Sequence, residues 1–378
     1  MRIIDRYLLR QFVQVFLICF TSITGLYLVF DAFSNLDEFM RYTEKEGGLL
    51  LVMGEFYAYR SIFFFDRASG MLTMIAGMFT VTWIQRHNEL TALLAAGISR
   101  TRVILPIVCA AVSISLLTAA NRELVIPRLA GELSKNAKDL RGEMGQQLRP
   151  RYDNETVILM RGLLTYAADQ RIEKPNFLLP AELDDLGRQL AAANAYYQPA
   201  RDGREAGYLL KGVTQPPGLA SHPSLSIGRR RVIITPHDEP EWLEPDECFV
   251  ASNVSFEQLA GGRAWRQFSS TAELVEGLSN RSLDFGADVR VAIHTRMVQP
   301  LLDLNLLFLG LPLVLSRDNR NVFAAIGLCA VLSTAFMLVV LGFQYLGTIY
   351  LLDPALAAWS PLMIFVPLAV ALFEQVRR

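Results

Sequence analysis

Residues 12–30 read FVQVFLICFTSITGLYLVF, an apolar run interrupted only by Gln14 and small hydroxyl residues. A helix crossing ~30 Å of hydrocarbon needs roughly 20 such residues, since each adds about 1.5 Å of length. Arg2, Arg6 and Arg10 flank the run on one side, and Ala32-Phe33-Ser34 stands on the other as a weak cleavage site. The apolar core of a secretory signal is shorter, about 7–15 residues, so the run reads as an uncleaved membrane anchor.

Working outward from it, five more runs qualify: Ile62 to Trp83, Val103 to Ala120, Ile293 to Leu315, Val322 to Leu341 and Leu356 to Phe373. The stretch Leu49 to Tyr59 is apolar but carries Glu55 and is followed by Arg60, which reads as an interfacial or extended beginning of the second helix. Asp66 and Arg67 then fall near that helix's outer end, where water or headgroups can solvate them. The fold class expected is an α-helical polytopic membrane protein with six spans in a three-plus-three arrangement. The halves are 1–120 and 292–378, with a soluble all-β domain inserted at 121–291.

Composition agrees with this division. The chain is 52% hydrophobic and 19% charged, and the apolar residues crowd into the first third and last quarter. A net charge of -1 excludes the basic excess of a nucleic-acid binder. Cys19, Cys109 and Cys329 sit in apolar runs as small packing residues, and Cys248 is alone in the soluble part, which excludes a disulfide framework or Cys/His zinc site.

Lysine and arginine in short loops mark the cytoplasmic side of a membrane protein. The N-terminal tail, the second loop (Arg86, Arg100, Arg102), the fourth loop (Arg317, Arg320) and the C-terminal Arg377-Arg378 all fall on one side of a six-span chain. The opposite side holds the acidic Asp37, Glu38, Glu44 and Glu46 and the loop 347–355, which lacks arginine and lysine. Both termini are therefore expected in the cytoplasm and the insert on the opposite side of the membrane.

Within the insert, Leu124 to Gln147 reads as helical. Strand character follows at Thr156–Met160, Leu163–Ala168, Phe177–Leu179, Leu190–Tyr197, Tyr208–Val213, Val232–Thr235 and Phe249–Val254. Turn signals such as Asp202-Gly203 and Pro216-Pro217-Gly218 separate them, and a short helix is expected at Thr271–Leu278. The pattern fits a sandwich, jelly roll or barrel. His222 and His237 have no metal or triad partner at a recognised spacing, and Pro240 and Pro245 break the acidic stretch 238–247 as a calcium loop. No catalytic or metal site is expected, and binding suits the domain better than catalysis. Three Asn-x-Ser/Thr triplets, starting at Asn154, Asn253 and Asn280, match a pattern that arises often by chance.

The loop Arg86-His87-Asn88-Glu89-Leu90-Thr91-Ala92-Leu93-Leu94-Ala95-Ala96-Gly97-Ile98-Ser99 is the most informative stretch outside the spans. As a helix it places Leu90, Leu93, Leu94 and Gly97 on one face, with Glu89 near its start and Gly97 as a C-terminal cap. Such a helix either lies on the membrane with its apolar face in lipid or transmits force from a soluble partner; spacing alone favours the former.

These residues, with four further stretches, resemble the LptF/LptG permease family of the lipopolysaccharide-export ABC transporter. Glu89 to Gly97-Ile98-Ser99 is similar to that family's cytoplasmic loop. Ile4-Asp5-Arg6-Tyr7-Leu8-Leu9 resembles its opening helix, and Asn121 to Pro127 its exit from helix three. Thr271-Ala272-Glu273-Leu274 resembles its element before helix four, which then carries Arg296, Pro300, Leu311-Pro312 and Arg317. The second helix departs from the family in lacking a proline in its outer half.

The resemblance implies a periplasmic β-jellyroll and a permease subunit, not an enzyme. Two such chains, paralogous or identical, would enclose a cavity and take lipopolysaccharide or a related glycolipid from the inner membrane, with helices one and five as lateral gates. Arg86, Glu89, Leu93 and Gly97 would engage an ABC ATPase dimer. Arg41, Lys45, Arg296 and Asp303 are the basic and acidic residues placed along the substrate path. The insert would pass acyl chains to a periplasmic bridge or membrane-anchored jellyroll protein. The chain has no Gly-x-x-x-x-Gly-Lys-Ser/Thr loop, so no cofactor is expected on it and ATP would be hydrolysed by a separate ATPase chain.

Two other classes remain open. An ion-coupled secondary transporter would use Asp303 as its coupling site, since carboxylates inside a membrane are costly and often functional; Asp303 could equally bond a neighbouring helix or line the cavity. A mechanotransmission protein would bind an ATPase and move its outer domain without transporting lipid.

Overall fold

Hydrocarbon offers no hydrogen bonds to backbone N–H and C=O groups, so each apolar run must satisfy its own as a helix. The computed structural model describes residues 3–377 apart from 47, 138, 141–142, 202–203, 261, 284 and 316–321. The turn at Asp202-Gly203, the loop arginines Arg317 and Arg320, and Arg2 and Arg378 lie outside the described residues, as do the side chains of Lys45 and Arg377. Two compact units result, Met1–Leu133 with Gly286–Arg378 and Ser134–Phe285.

In the first unit the described residues form six helices long and apolar enough to cross a membrane: Ile3–Ser34, Leu49–Arg86, Arg100–Val125, Ala287–Leu315, Ile326–Thr348 and Pro354–Glu374. Spans two and four are the centre, each with more than half of its apolar window buried, while spans one and five face mostly outward. Apolar side chains gain nothing by leaving lipid for another helix, so close approach depends on small residues. Span two supplies them on one stripe, at Ser69, Gly70, Thr73, Ala76, Gly77 and Thr80, all of them buried except the half-buried Gly70. A Cβ on Gly77 would lie 2.6 Å from Leu307 Cδ1 of span four, so that glycine sets the helix separation.

The stretch Leu49–Tyr59, expected as an interfacial or extended beginning of the second helix, is the first part of one continuous 38-residue helix, Leu49–Arg86. The amphipathic helix Leu36–Glu46 explains this. It buries Phe39 against Phe56 and Tyr57, at ring distances of 5.4 and 5.8 Å. Tyr57 Oη donates to Asp31 Oδ2 of span one at 2.9 Å. Packing on a neighbouring helix thus overrides the polarity of Glu55 and Arg60, whose guanidinium lies over the Phe56 ring.

The helix expected over Leu124–Gln147 ends at Ser134. Pro127 has no N–H to donate and crowds the preceding turn. Span three therefore widens into a π turn at Asn121–Val125 and tightens to a 3-10 turn at Pro127–Leu129. Further on, Gln146 and Gln147 pair with Thr165 and Leu164 as a strand.

The second unit is a jellyroll-like antiparallel β-domain, not the all-β domain expected: it also carries short helices at Phe256–Ala260, Gly262–Phe268 and Thr271–Ser279, of which only the last was foreseen. Its strands are β1 (Gln146–Gln147), β2 (Arg151–Asp153), β3 (Ile158–Arg161), β4 (Leu164–Tyr166), β5 (Arg171–Glu173), β6 (Asn176–Leu178), β7 (Gln189–Gln198), β8 (Gly207–Gln215), β9 (Leu225–Ile227), β10 (Arg230–Ile234) and β11 (Glu247–Ala251). All pairings are antiparallel, in the order β1-β4-β5-β7-β8-β11-β10-β9. The long β7 divides one edge between two partners: Ala191 to Gln189 pair with β6, and Asn194 to Tyr196 pair with β5. β6 in turn carries β3 and β2. Alternation puts Ile158, Met160, Ile172, Phe177 and Leu190 inside, as period two requires. The expected short helix forms over Thr271–Ser279, started by a capping box in which Ser270 Oγ accepts from Glu273 N–H.

The three Asn-x-Ser/Thr triplets meet in one polar network of this unit. Asp153, fully buried, accepts from Ser252 Oγ at 2.6 Å. Glu155 Oε2 accepts from Asn253 Nδ2 and Ser282 Oγ and pairs with Arg230, while Asn280 Nδ2 donates to the Asn253 carbonyl. Burial alone would raise the Glu155 carboxyl, but the Arg230 charge and these hydrogen bonds outweigh it and hold it below the ordinary range. A carboxyl with a lowered folded pKa contributes fully above its unfolded value of about 4.3, and the contribution disappears as pH falls through the folded value. Glu155→Gln is therefore expected to lower stability at pH 7 by ~0.5–1 kcal/mol, after discounting for solvent screening. It should also shrink the drop in Tm between pH 7 and about pH 3. Thermal unfolding of the full chain in detergent at both pH values checks this; an unchanged drop would remove Glu155 from the acid response.

Candidate functional site

Span two ends at Arg86, where the His87 ring packs on Trp83 at 4.5 Å and His87 Nδ1 lies 2.9 Å from the Trp83 carbonyl. Asn88 turns the chain in the left-handed region, φ 59°, which asparagine tolerates better than most residues. A seven-residue helix follows, Glu89–Ala95. Gly97 then takes φ 78°, with Gly97 N–H bonded to the Leu94 carbonyl and Ile98 N–H to the Leu93 carbonyl. That pair of bonds is a Schellman cap, so the glycine is required by backbone geometry.

The apolar face of this helix is consumed by its own chain. Leu90 is buried, and Leu93, Leu94 and Ile98 pack against the core of the helical unit. What remains outward is small or polar: Arg86, Thr91, Ala92, Ala95 and Gly97 are exposed. The structure thus gathers Arg86, Glu89, Leu93 and Gly97 in one loop, with Leu93 facing inward and the other three reaching the surface or its edge.

Two bonds fasten this loop to span one. Tyr7 Oη donates to the Glu89 carboxylate at 3.0 and 3.2 Å, and Arg102 pairs with Asp5 at 2.8 Å. Sequence reasoning did not find Tyr7 and Asp5 as partners, although both lie in the Ile4–Leu9 stretch it singled out. These contacts tie the short helix and the start of span three to span one.

A second polar group sits inside the helices. Asp66 is not solvated as its position near a helix end implied. It is buried, and Arg122 grips it with Nε–Oδ1 and NH2–Oδ2 distances of 2.9 and 3.1 Å. Beside them Asn121 Nδ2 donates to the Ile62 carbonyl at 3.2 Å. A turn further along, Asp303 of span four lies against Gly70 and accepts from Gln299 Nε2 at 2.8 Å. Ser69, Thr73 and Ser115 line the same narrow cleft, and the buried Ser69 Oγ has no hydrogen-bond partner among the described residues. Arg296 lies within electrostatic reach of Arg122, Glu123, Asp66 and Arg67. Of the substrate-path residues, Arg296 and Asp303 thus share one polar neighbourhood, Arg41 is exposed on the Leu36–Glu46 helix, and the Lys45 side chain is outside the described residues.

The family profile described as "Lipopolysaccharide export system permease LptF/LptG" matches residues 6–163 and 219–375. Both helical halves and the Arg86–Ser99 loop fall inside the matched blocks, and β4 to β8 lie between them. No curated individual protein matches the chain.

Proposed function

The chain belongs to the lipopolysaccharide export system permease LptF/LptG family, and on that premise we propose that it moves a phosphorylated glycolipid out of the inner membrane under ATP drive. The family forms the membrane part of a multi-subunit export system, and six apolar helices make this member a multi-pass inner-membrane protein. In this reading the termini and the Arg86–Ser99 loop are cytoplasmic and the jellyroll-like unit is periplasmic, as the arginines of the short loops favour. A second permease, paralogous or identical, completes the cavity. A dimer of a separate ABC ATPase docks below, and a periplasmic bridge or membrane-anchored jellyroll protein receives the lipid. Arg41, Lys45, Arg296 and Asp303 remain proposed contacts along the path.

The observation that carries this reading is the short helix Glu89–Ala95. Its apolar face packs on the bundle, which favours a role other than a helix lying in lipid, and its open face is small enough to seat against another protein. The bonds Tyr7–Glu89 and Asp5–Arg102 support transmission of ATPase movement to span one.

Glu89→Ala is expected to reduce ATPase recovery in a mild-detergent purification about tenfold, as removal of a charged contact at an interface does, and to leave membrane insertion intact. Unchanged recovery would take Glu89 out of the coupling role. Mass spectrometry of the native purification tests the wider reading. An ATPase, a second six-span chain and a phosphorylated glycolipid support export. An ATPase without glycolipid points to mechanotransmission, and neither points to a secondary transporter centred on Asp303.

A further inference from the structure

We infer that the cleft between spans two, three and four is a sodium-ion site with Asp303 as its charged ligand; the inference goes beyond the export reading and does not rest on it. Asp303 stands near the middle of the helix Ala287–Leu315 and is buried, where an uncompensated carboxylate is costly. Its Oδ1 packs against Gly70 and accepts from the neutral Gln299 amide at 2.8 Å, which leaves Oδ2 for another partner. Arg122 lies within electrostatic reach, but its guanidinium is engaged by both oxygens of Asp66. Ser69 and Thr73 of span two and Ser115 of span three line the same cleft. Ser69 is 1% exposed, and its Oγ has no hydrogen-bond partner among the described residues. A buried hydroxyl left so calls for a ligand. Ser115 Oγ reaches the Pro300 carbonyl only at 3.4 Å, a long bond that leaves its lone pairs free to bind a cation.

The donor set identifies the ligand. One carboxylate and three hydroxyls are hard oxygen donors, and no histidine, cysteine or methionine lines the cleft for zinc, copper or iron. A single negative charge is balanced by a single positive one, whereas a divalent ion would leave a net charge buried among apolar helices. Size then separates the monovalent ions. A Cβ on Gly70 would strike the Asp303 carboxyl, so spans two and four already touch beside the cleft, which is too narrow to seat a water molecule. An ion of sodium's radius, which is close to that of calcium, holds oxygens at about 2.3–2.6 Å. That is closer than the ~2.8 Å of a hydrogen bond to water, and potassium is larger. Ser69 and Thr73 stand one helical turn apart and can aim their O–H groups at the carbonyls a turn earlier, which turns oxygen lone pairs toward the ion. An ion held in this way joins three spans and neutralises Asp303 without a proton.

The test is equilibrium binding of radiolabelled sodium to the full chain in detergent at mildly alkaline pH, with choline chloride holding the ionic strength constant. The native chain should bind one sodium ion saturably. Ser69→Ala and Thr73→Val, which remove a hydroxyl and little else, should each weaken binding about tenfold. Asp303→Asn should abolish it. Sodium should also raise the melting temperature of the native chain, as a ligand of the folded state alone does, and leave that of Asp303→Asn unchanged. Melting in choline chloride shows whether each variant is folded; if Asp303→Asn is not, the two hydroxyl variants decide. A folded native chain without saturable sodium binding would overturn the site and leave a proton to neutralise Asp303. Full affinity in both hydroxyl variants would place the ion elsewhere and overturn it equally. Competition by potassium as strong as by unlabelled sodium, or tighter binding of calcium, would overturn the sodium assignment. No ATPase or lipid enters the measurement, so its failure leaves the export reading standing, and failure to recover an ATPase or glycolipid leaves the ion site standing.

Discussion

Arg122→Ala is expected to destabilise the helical unit by about 3–5 kcal/mol, the cost of leaving a buried charge without its partner. Asp66 is 7% exposed and its two oxygens face Nε and NH2 of Arg122. The reverse change should be milder. Arg122 is more accessible than Asp66, at 16% against 5% of side-chain area, and a long side chain can carry its charge outward. Asp66→Ala is therefore expected to cost ~2 kcal/mol. The double variant Asp66→Leu/Arg122→Met should recover most of the loss, because replacing both members of a buried pair by apolar residues is often neutral. Thermal unfolding of the four proteins in one detergent gives the coupling directly. An Arg122→Ala chain that melts with the native one would mean that the pair holds nothing together. The pair joins span two to the exit of span three, so its loss should also loosen the wide turn at Asn121–Val125.

The six spans are legible in the sequence because the bilayer imposes one length and one chemistry on each. Their ends are less so. Leu49–Tyr59 reads as either an interfacial or an extended beginning of the second helix, and the burial of Phe39, Phe56 and Tyr57 together is what makes it part of one long helix. In the jellyroll-like unit the seven strands foreseen are those with alternating or aromatic runs. The four that were not, β1, β2, β5 and β9, have two or three residues each, several of them charged. β4 and β6 are as short but carry Leu164 and Tyr166 or Phe177 and Leu178, whereas these four combine short length with polar and charged residues and are defined by pairing with their neighbours. The same limit applies to the site. Glu89 and Gly97 announce a capped helix locally, but Tyr7 is 82 residues from Glu89 and Asp5 is 97 from Arg102. Asp66 near a helix end reads as solvated because its partner is 56 residues away.

Gly70→Ala is expected to cost ~3 kcal/mol, the upper range for forcing a methyl into a filled core. A Cβ there would fall 2.2 Å from Asp303 Oδ1 and 2.5 Å from Cγ. The carboxyl is tied to Gln299 and is nearly buried, so span four must move if the methyl is to fit. Gly310→Ala is the matched control. Its Cβ would approach Met78 Sδ at 2.7 Å and Met74 Cγ at 3.1 Å, which belong to flexible side chains, and a cost below about 1 kcal/mol is expected. Asp303→Ala should rescue Gly70→Ala, since it removes the atoms that collide. The rescue also separates the two roles open to Asp303. If Gly70→Ala/Asp303→Ala is both stable and active in export, the carboxyl serves packing, and an ion-coupled mechanism loses its coupling group. If the double variant is stable but inactive, while Asp303→Glu keeps activity, the carboxyl itself takes part in transport. Equal melting temperatures for Gly70→Ala and the native chain would instead show that the contact between spans two and four yields without cost.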